Sequence, residues 1–411
     1  MDQPDFHTSV FRFGPRALIA YLAFLNAFAP LSTDLYLPAL PHMTGYFDSA
    51  VELTKLTLSL FMLFYALSML VWGPLTDRLG RKKILLAGLV LYMVASILCA
   101  TAQNIWVLIL GRILQAAGCG AIQSVSMAVV KDTFQGRTME NVLAWIQTMM
   151  VIGPMLAPVL GALLLHFTSW RGLFWMLFAF GSLGLIFVFF LKETLRNPTK
   201  ATLVKSFGRI RVVLTNAGLR WLLLLFALSA MPFMAYLGTS AFIYEHVFQT
   251  STSAYSYFFA TNAFFSMFGP LCYMRFFRNI PRRRFIAGGF FLIALLGAVI
   301  LFTGNGNGPY LFTALFIPVT FMGGAIRPVG TVLTMSQLDS DNGTVASLMG
   351  CSTLLFGSIS MILSSLFANP LIALGSICLC MAIICLALWL HIDGKNLYRT
   401  PETASRREKG V

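Results

Sequence analysis

Twelve stretches of this chain are apolar over about the length of a bilayer crossing, and that repetition limits the fold more than any other feature. A transmembrane helix takes about 20 mostly apolar residues. The runs fall at 16–40, 53–74, 84–101, 104–130, 138–163, 171–191, 219–244, 254–275, 285–303, 310–335, 344–367 and 371–391. None alternates apolar with polar residues, which excludes the strands of a closed barrel. Charged residues make up 11% of the chain against 58% hydrophobic, with a mean hydropathy of +0.79. A soluble domain carries about 25% charged residues, so the chain reads as an all-α membrane protein.

The basic residues set its orientation. With the N-terminus inside, every Lys and Arg lies in a cytoplasmic segment except Lys55 and Arg171 on the far side, and Arg112 and Arg327 within helices. This is the positive-inside pattern. The net charge of +14 is therefore topology with anionic lipid as its neighbour, and nucleic acid is not needed as a partner. The first 15 residues are polar and the first apolar run lacks a cleavage site, so no signal peptide is expected. All seven Cys lie within helices, the five His form no cluster, and Cys378 and Cys380 point to different faces. Neither metal, disulfide nor cofactor is implied, and no nucleotide-binding loop or nucleophile with its base appears. An enzyme is not expected.

Four parts follow: an N-terminal six-helix half, 1–191; a linker, 192–218; a C-terminal six-helix half, 219–391; and a tail, 392–411. Within the linker, Leu203, Phe207, Ile210 and Leu214 recur at helical spacing, which fits a short helix lying on the inner membrane surface; an irregular basic linker fits as well. Gly118-Cys-Gly-Ala-Ile-Gln123 matches Met322-Gly-Gly-Ala-Ile-Arg327 at an offset of 204 residues. A repeat at half the chain length points to two homologous halves.

Asp34 is the one acid well inside an apolar run. Placing an ionisable group in a membrane helix costs about 2.5–3.5 kcal/mol on insertion scales and commonly marks function; a structural ion pair or a helix cap is the alternative. Arg112 is its natural partner. Asp34 lies about 9 Å, and Arg112 about 12 Å, from the same end of their helices at 1.5 Å per residue, and a shared depth permits contact. Arg112, Gln115, Cys119 and Gln123 fall within one arc of helix 4, and Asn26, Pro30 and Asp34 form a similar stripe on helix 1. Tyr236, Tyr244, Tyr255, Tyr257, Phe258, Asn262 and Phe265 make an aromatic wall on helices 7 and 8, as drug pockets require. Tyr244 and Tyr255 also suit an interfacial aromatic belt.

Between the second and third runs lies Gly73-x-x-x-Asp77-Arg78-x-Gly80-Arg81-Lys82-Lys83. This loop resembles the signature between helices 2 and 3 of the major facilitator superfamily, which implies twelve helices in two six-helix halves. The string Pro30-Leu-Ser-Thr-Asp34-Leu-Tyr36-Leu-Pro38-Ala-Leu-Pro41 resembles the first-helix signature of the bicyclomycin/chloramphenicol-resistance (Bcr/CflA) branch of the drug:proton antiporters. Arg112-Ile-Leu-Gln115-Ala-Ala-Gly118 is similar to the helix-4 motif of proton-coupled facilitators, with Ala116 for a glycine. Ala157-Pro158-Val-Leu-Gly161-Ala162 resembles the antiporter motif of helix 5, again with Ala for its last glycine, and Pro154 joins Pro158 in bending that helix; ordinary tight packing would account for Gly161 alone. Leu191-Lys-Glu193-Thr-Leu195 matches the usual close of helix 6.

The resemblance implies a proton-coupled antiporter of a bacterial inner membrane, monomeric, with both termini cytoplasmic and protons as coupling ion. It would export amphipathic, neutral or weakly charged compounds such as phenicols; an endogenous metabolite or siderophore, or import of a solute, are the alternatives. Asp34 and Arg112 would couple protons. Asn26, Tyr36, Gln115, Cys119, Gln123, Tyr236 and Asn262 would bind substrate. Gly73, Asp77, Arg78, Gly80, Arg81 and Asp132 would form a conformational latch, with Arg81 on Asp132 and Asp77 facing the start of helix 11 near Thr344; enforcing topology is the plainer role for these charges. Asn26, where a related exporter type has Glu, implies that dications are poor substrates.

Overall fold

The computed structural model describes residues 10–134, 136–195, 215–277, 279–303, 308–338, 342–395 and 397–398. Twelve helical segments among them follow the twelve apolar runs. They are α1 (Pro15–Phe47), α2 (Val51–Leu79), α3 (Arg81–Ala100), α4 (Ile105–Thr133), α5 (Gly136–Leu165), α6 (Trp170–Val188), α7 (Ala217–Val247), α8 (Thr252–Cys272), α9 (Arg282–Thr303), α10 (Pro309–Met335), α11 (Asn342–Ser365) and α12 (Pro370–Gly394). Ten are long and apolar enough to cross a membrane. The others are α5, with 30 residues, and α8, whose 21 residues include Ser253, Ser256, Thr261, Asn262 and Ser266. The linker positions Leu203, Phe207, Ile210 and Leu214, and the Thr344 side chain, lie outside the described residues.

Helices outrun the apolar stretches. α2 continues to Leu79 and α3 starts at Arg81, so the loop expected over Gly73–Lys83 is helical except at Gly80. Gly80 reverses the chain alone, at φ 102° and ψ 152°, a region essentially reserved for glycine that costs an L side chain about 1–3 kcal/mol. A Cβ there would also stand 2.6 Å from Glu193 Oε2.

Prolines divide the first helix of each half. Pro30 has no N–H for the carbonyl of Asn26, and α1 parts at Ala27 into Pro15–Asn26 and Phe28–Asp34. A short turn, Leu37–Ala39, then leads to Leu40–Phe47. In α7, Pro232 has the same effect on the carbonyl of Leu228, and Ser229 and Ala230 separate Ala217–Leu228 from Met231–Phe242.

The chain divides into two compact units, Met1–Ser206 and Phe207–Val411. In the first, α2 and α3 pack on α4, α3 packs on α6, and α1 packs on α5. In the second, α8 and α9 pack on α10, α9 on α12, and α7 on α11. Adding six to each number turns the first set into the second. The sequence repeat obeys the same rule: Gly120 lies against Tyr65 and Ser68 of α2, and Gly324 against Ser266 and Gly269 of α8. In lipid no hydrophobic drive separates helix from solvent, so close approach at small residues supplies much of the attraction.

The described part of the segment before α1 begins at Val10. Phe11 bridges antiparallel to Leu191; Lys192 N–H donates to the Val10 carbonyl at 2.9 Å and Arg12 N–H to that of Phe190 at 3.2 Å. Phe11 is 1% exposed and stacks on Tyr21. This strap fastens the end of α6 to the start of α1.

Candidate functional site

Asp34 ends the α1 segment that follows the break, and it is 3% exposed. Its carboxylate accepts a hydrogen bond from Thr33 Oγ1 at 2.9 Å, and no basic side chain pairs with it among the described residues. Two glycines of α5 bring that helix against the same segment. A Cβ at Gly153 would lie 3.0 Å from Pro30, and one at Gly161 would collide with the Leu35 carbonyl. The antiporter-like stretch of α5 therefore encloses Asp34 by backbone approach. Pro154 and Pro158 lie within an α5 that remains one helix.

Arg112 is fully buried, and it does not turn to Asp34. Its guanidinium sits over the rings of Phe61 at 4.2 Å and Tyr36 at 4.5 Å. Nη1 donates to Gln115 Oε1 at 2.5 Å, while Nε and Nη2 have no hydrogen-bond partner. The ion pair that equal depth permitted is absent, because depth leaves azimuth open and the aromatic faces of α1 and α2 hold the cation instead. From Gln115 the bonds continue into α3: Nε2 donates to Ser96 Oγ at 2.9 Å, and Ser96 Oγ to the Tyr92 carbonyl at 2.8 Å. Tyr92 Oη meets Ser32 Oγ at 2.6 Å, and the Tyr36 hydroxyl bonds Thr57 Oγ1. Tyr92, Ser96 and Thr57 were not singled out from sequence, although Tyr92 and Ser96 stand four apart as a polar pair on an apolar helix.

Asn26 and Gln123 form a closed set of their own. Gln123 Nε2 donates to Asn26 Oδ1 at 2.8 Å, and Asn26 Nδ2 donates to Ser126 Oγ and the Leu22 carbonyl, both at 2.7 Å. In this structure they tie α1 to α4. Cys119 is buried on the same helix.

At the α2–α3 turn, Arg81 joins three elements. Nη1 meets Asp77 Oδ1 at 2.5 Å and Nε meets Asp132 Oδ2 at 2.8 Å. Thr194 Oγ1 also donates to Asp132 Oδ2, at 3.0 Å. Glu193, read from sequence only as the close of helix 6, accepts the backbone N–H groups of Arg81 at 2.9 Å and Lys82 at 3.1 Å. It thus caps the start of α3, whose first N–H groups have no partner within the helix. Gly73 and Arg78 lie on α2, Arg78 exposed, and a Cβ at Gly73 would meet nothing within 4 Å.

In the second unit the expected aromatic wall is largely core. Tyr236 is buried between Phe316, at 4.3 Å, and Phe259, at 5.7 Å, and its hydroxyl has no hydrogen-bond partner. Tyr244 and Tyr255 are buried too, bonded to Thr313 at 2.6 Å and Ser240 at 3.2 Å. That excludes them from an interfacial belt, since Thr313 and Ser240 supply the partners that headgroups and water would. Asn262 Oδ1 accepts from Thr320 Oγ1 at 2.8 Å, fixing α8 to α10. Tyr257 and Phe265 are exposed.

Twelve membrane-length helices in two like-built units, with charged and amide groups sealed inside the first, define a polytopic membrane transporter. Residues 22–363 match the Major Facilitator Superfamily, and the chain belongs to that family. It is 28% identical over 378 residues to the uncharacterised MFS-type transporter YdgK of Bacillus subtilis (strain 168), covering 90% of this chain and 93% of that one. It is 33% identical over 226 residues to a chloramphenicol resistance protein of Pseudomonas aeruginosa, and 32% identical over 197 residues to the multidrug resistance protein MdtL of Escherichia coli O45:K1. Those two matches span 55% and 46% of this chain, and half of each relative. Solved structures share the fold: the peptide transporter POT in complex with sulfate, 16% identical with a TM-score of 0.74 over 97% of this chain and 99% of that one, and the human organic anion transporter MFSD10, 18% identical with a TM-score of 0.58 over 91% and 99%.

Proposed function

We propose that this protein is a proton-coupled antiporter that exports amphipathic, neutral or weakly charged compounds across a bacterial inner membrane. The observation that carries this reading is Asp34, a carboxylate enclosed by α1 and α5 with Thr33 as its hydrogen-bond partner and no counter-ion among the described residues. An isolated ionised carboxylate is costly in such surroundings and is relieved by taking up a proton. A group of this kind exchanges a proton when its surroundings open alternately to the two sides. Similarity to a chloramphenicol resistance protein and to MdtL supports drugs as cargo, and Asn26, engaged as a neutral amide, leaves no second carboxylate beside α4 to receive a dication.

Arg112 is the companion charge. It has two free donors and lies in the same helical unit, so it stabilises whichever neighbour becomes negative during the cycle. Arg81, Asp77, Asp132 and Glu193 form the latch that ties α2, α3, α4 and the end of α6. The termini are taken as cytoplasmic, following the basic residues.

The test is energised efflux of a neutral phenicol from an efflux-deficient host. Asp34→Asn is expected to insert normally and to abolish uncoupler-sensitive efflux. Export by that variant at the native rate, still sensitive to the uncoupler, removes Asp34 from the mechanism.

A further inference from the structure

Arg327 is exposed, in the last third of α10. Among the described residues its guanidinium makes no hydrogen bond or ion pair, although a bare cation in a membrane helix is costly unless it meets water or a counter-charge. The geometry of α10 shows where it points. At 100° per residue, Arg327 lies about 140–160° round the helix from Leu311, Ala314 and Val332, the exposed apolar strip. Gly330, three residues on, packs on Phe226 of α7, and Gly324, three residues back, packs on Ser266 of α8. Arg327 therefore projects between the faces that hold α7 and α8, away from the strip suited to lipid. One turn earlier, a Cβ at Gly323 would meet nothing within 4 Å, so open space adjoins it.

The internal repeat explains why this cation is unpartnered. Its counterpart in the first unit is Gln123, whose amide is used on Asn26 of α1, next to the break in that helix. The same 204-residue offset places Ala230 where Asn26 stands, in the break of α7. Ala230 offers no side-chain acceptor, and the neighbouring Ser229 Oγ is bonded to the Phe226 carbonyl at 2.8 Å. One unit thus closes this position with two amides, while the other leaves a fixed fork of donors facing open space. A guanidinium so placed recognises a carboxylate in bidentate fashion.

We propose that Arg327, with the open space at Gly323, is a subsite for the anionic group of an amphipathic solute, a carboxylate above all. This rests on the reading of the protein as an exporter of amphipathic compounds and adds a charge preference to it. The same chemistry could come from a lipid phosphate, so the test separates the two.

Dansylphenylalanine and its methyl ester share a fluorescent aromatic body and differ in one negative charge. Binding of each is measured by fluorescence to the full-length protein in nanodiscs of phosphatidylcholine, and again with phosphatidylglycerol added. The acid is expected to bind at least tenfold more tightly than the ester. Arg327→Gln should erase that preference while leaving the ester within twofold of its native affinity, and Arg327→Lys should keep part of it. No preference in the native protein, or a preference that survives Arg327→Gln, overturns the proposal. If Arg327→Gln also loses the ester, the Lys variant decides: ester binding with partial preference supports the subsite, and ester binding with none overturns it. Strong displacement of the acid by phosphatidylglycerol assigns Arg327 to lipid and overturns the solute reading. Arg327-dependent binding of the acid by a protein that exports no drug would refute the export function and leave the subsite standing. Uncoupler-sensitive drug export without any preference for the acid would do the reverse.

Discussion

Arg112 shows how one buried side chain can be both anchored and available. Two aromatic faces and one hydrogen bond to Gln115 hold the guanidinium, and two of its donor nitrogens remain without partners. Unsatisfied buried donors cost roughly 1–3 kcal/mol each, so their retention fits a group whose partner changes during a cycle. A Lys ammonium cannot lie flat on both rings or present the same fork. Arg112→Lys should therefore insert and fold, with stability lowered by about 1–2 kcal/mol, and lose about tenfold or more in efflux rate. Native transport by that variant, measured in reconstituted vesicles, would reduce Arg112 to a packing residue. The sequence puts Arg112 and Asp34 at one expected depth, because rise per residue is fixed by helix geometry. It could not place them in azimuth, since that depends on Tyr36 and Phe61, which come from two other positions in the chain. Tyr236, Tyr244 and Tyr255 illustrate the same limit. Their amphipathic character was plain, but burial against Phe259, Phe316 and Phe312 is a tertiary property.

At the level of elements, helix ends and helix contacts carry the design. The charged stretch at the α2–α3 junction is legible as special, yet only Gly80 in it leaves helical geometry, because charged side chains can extend a helix as readily as they can form a loop. Glu193 then caps α3 from 111 residues away, a pairing no local pattern announces. The α5–α1 contact is the sharpest constraint. At Gly161 the obstacle to any Cβ is the Leu35 carbonyl, which is backbone and cannot swing aside. Gly161→Val should cost about 1–3 kcal/mol, as overpacking does, and push α5 away from the turn bearing Asp34. Thermal denaturation in detergent should show the loss, and proton-coupled efflux should fall further than stability alone explains. An unchanged melting temperature with native efflux would mean that α5 does not seal that turn.

Across the whole molecule, the division into like halves was the most legible feature. Twelve runs, a polar middle and a six-residue repeat sufficed, and the packing of α2 on α4 and α8 on α10 follows the same plan. Each unit keeps its own buried core. Residues 1–206 and 207–411, expressed together as separate chains, should therefore insert and restore a large part of efflux, whereas either alone should transport nothing. Failure of the pair, with both fragments present in the membrane, would show that the covalent linker is itself required.

The strap at Val10–Arg12 has a consequence for how the chain is made. Its partner, Leu191, is synthesised 180 residues after Phe11, roughly 10–35 s later at ordinary rates of translation. Through that interval the N-terminal strand must wait unpaired. It can close only if α6 emerges on the face of the bilayer where the strand already lies. Six crossings satisfy that condition and five or seven do not, so closure of the strap, and with it the Glu193 cap on α3, registers that the first half has been threaded with the correct parity.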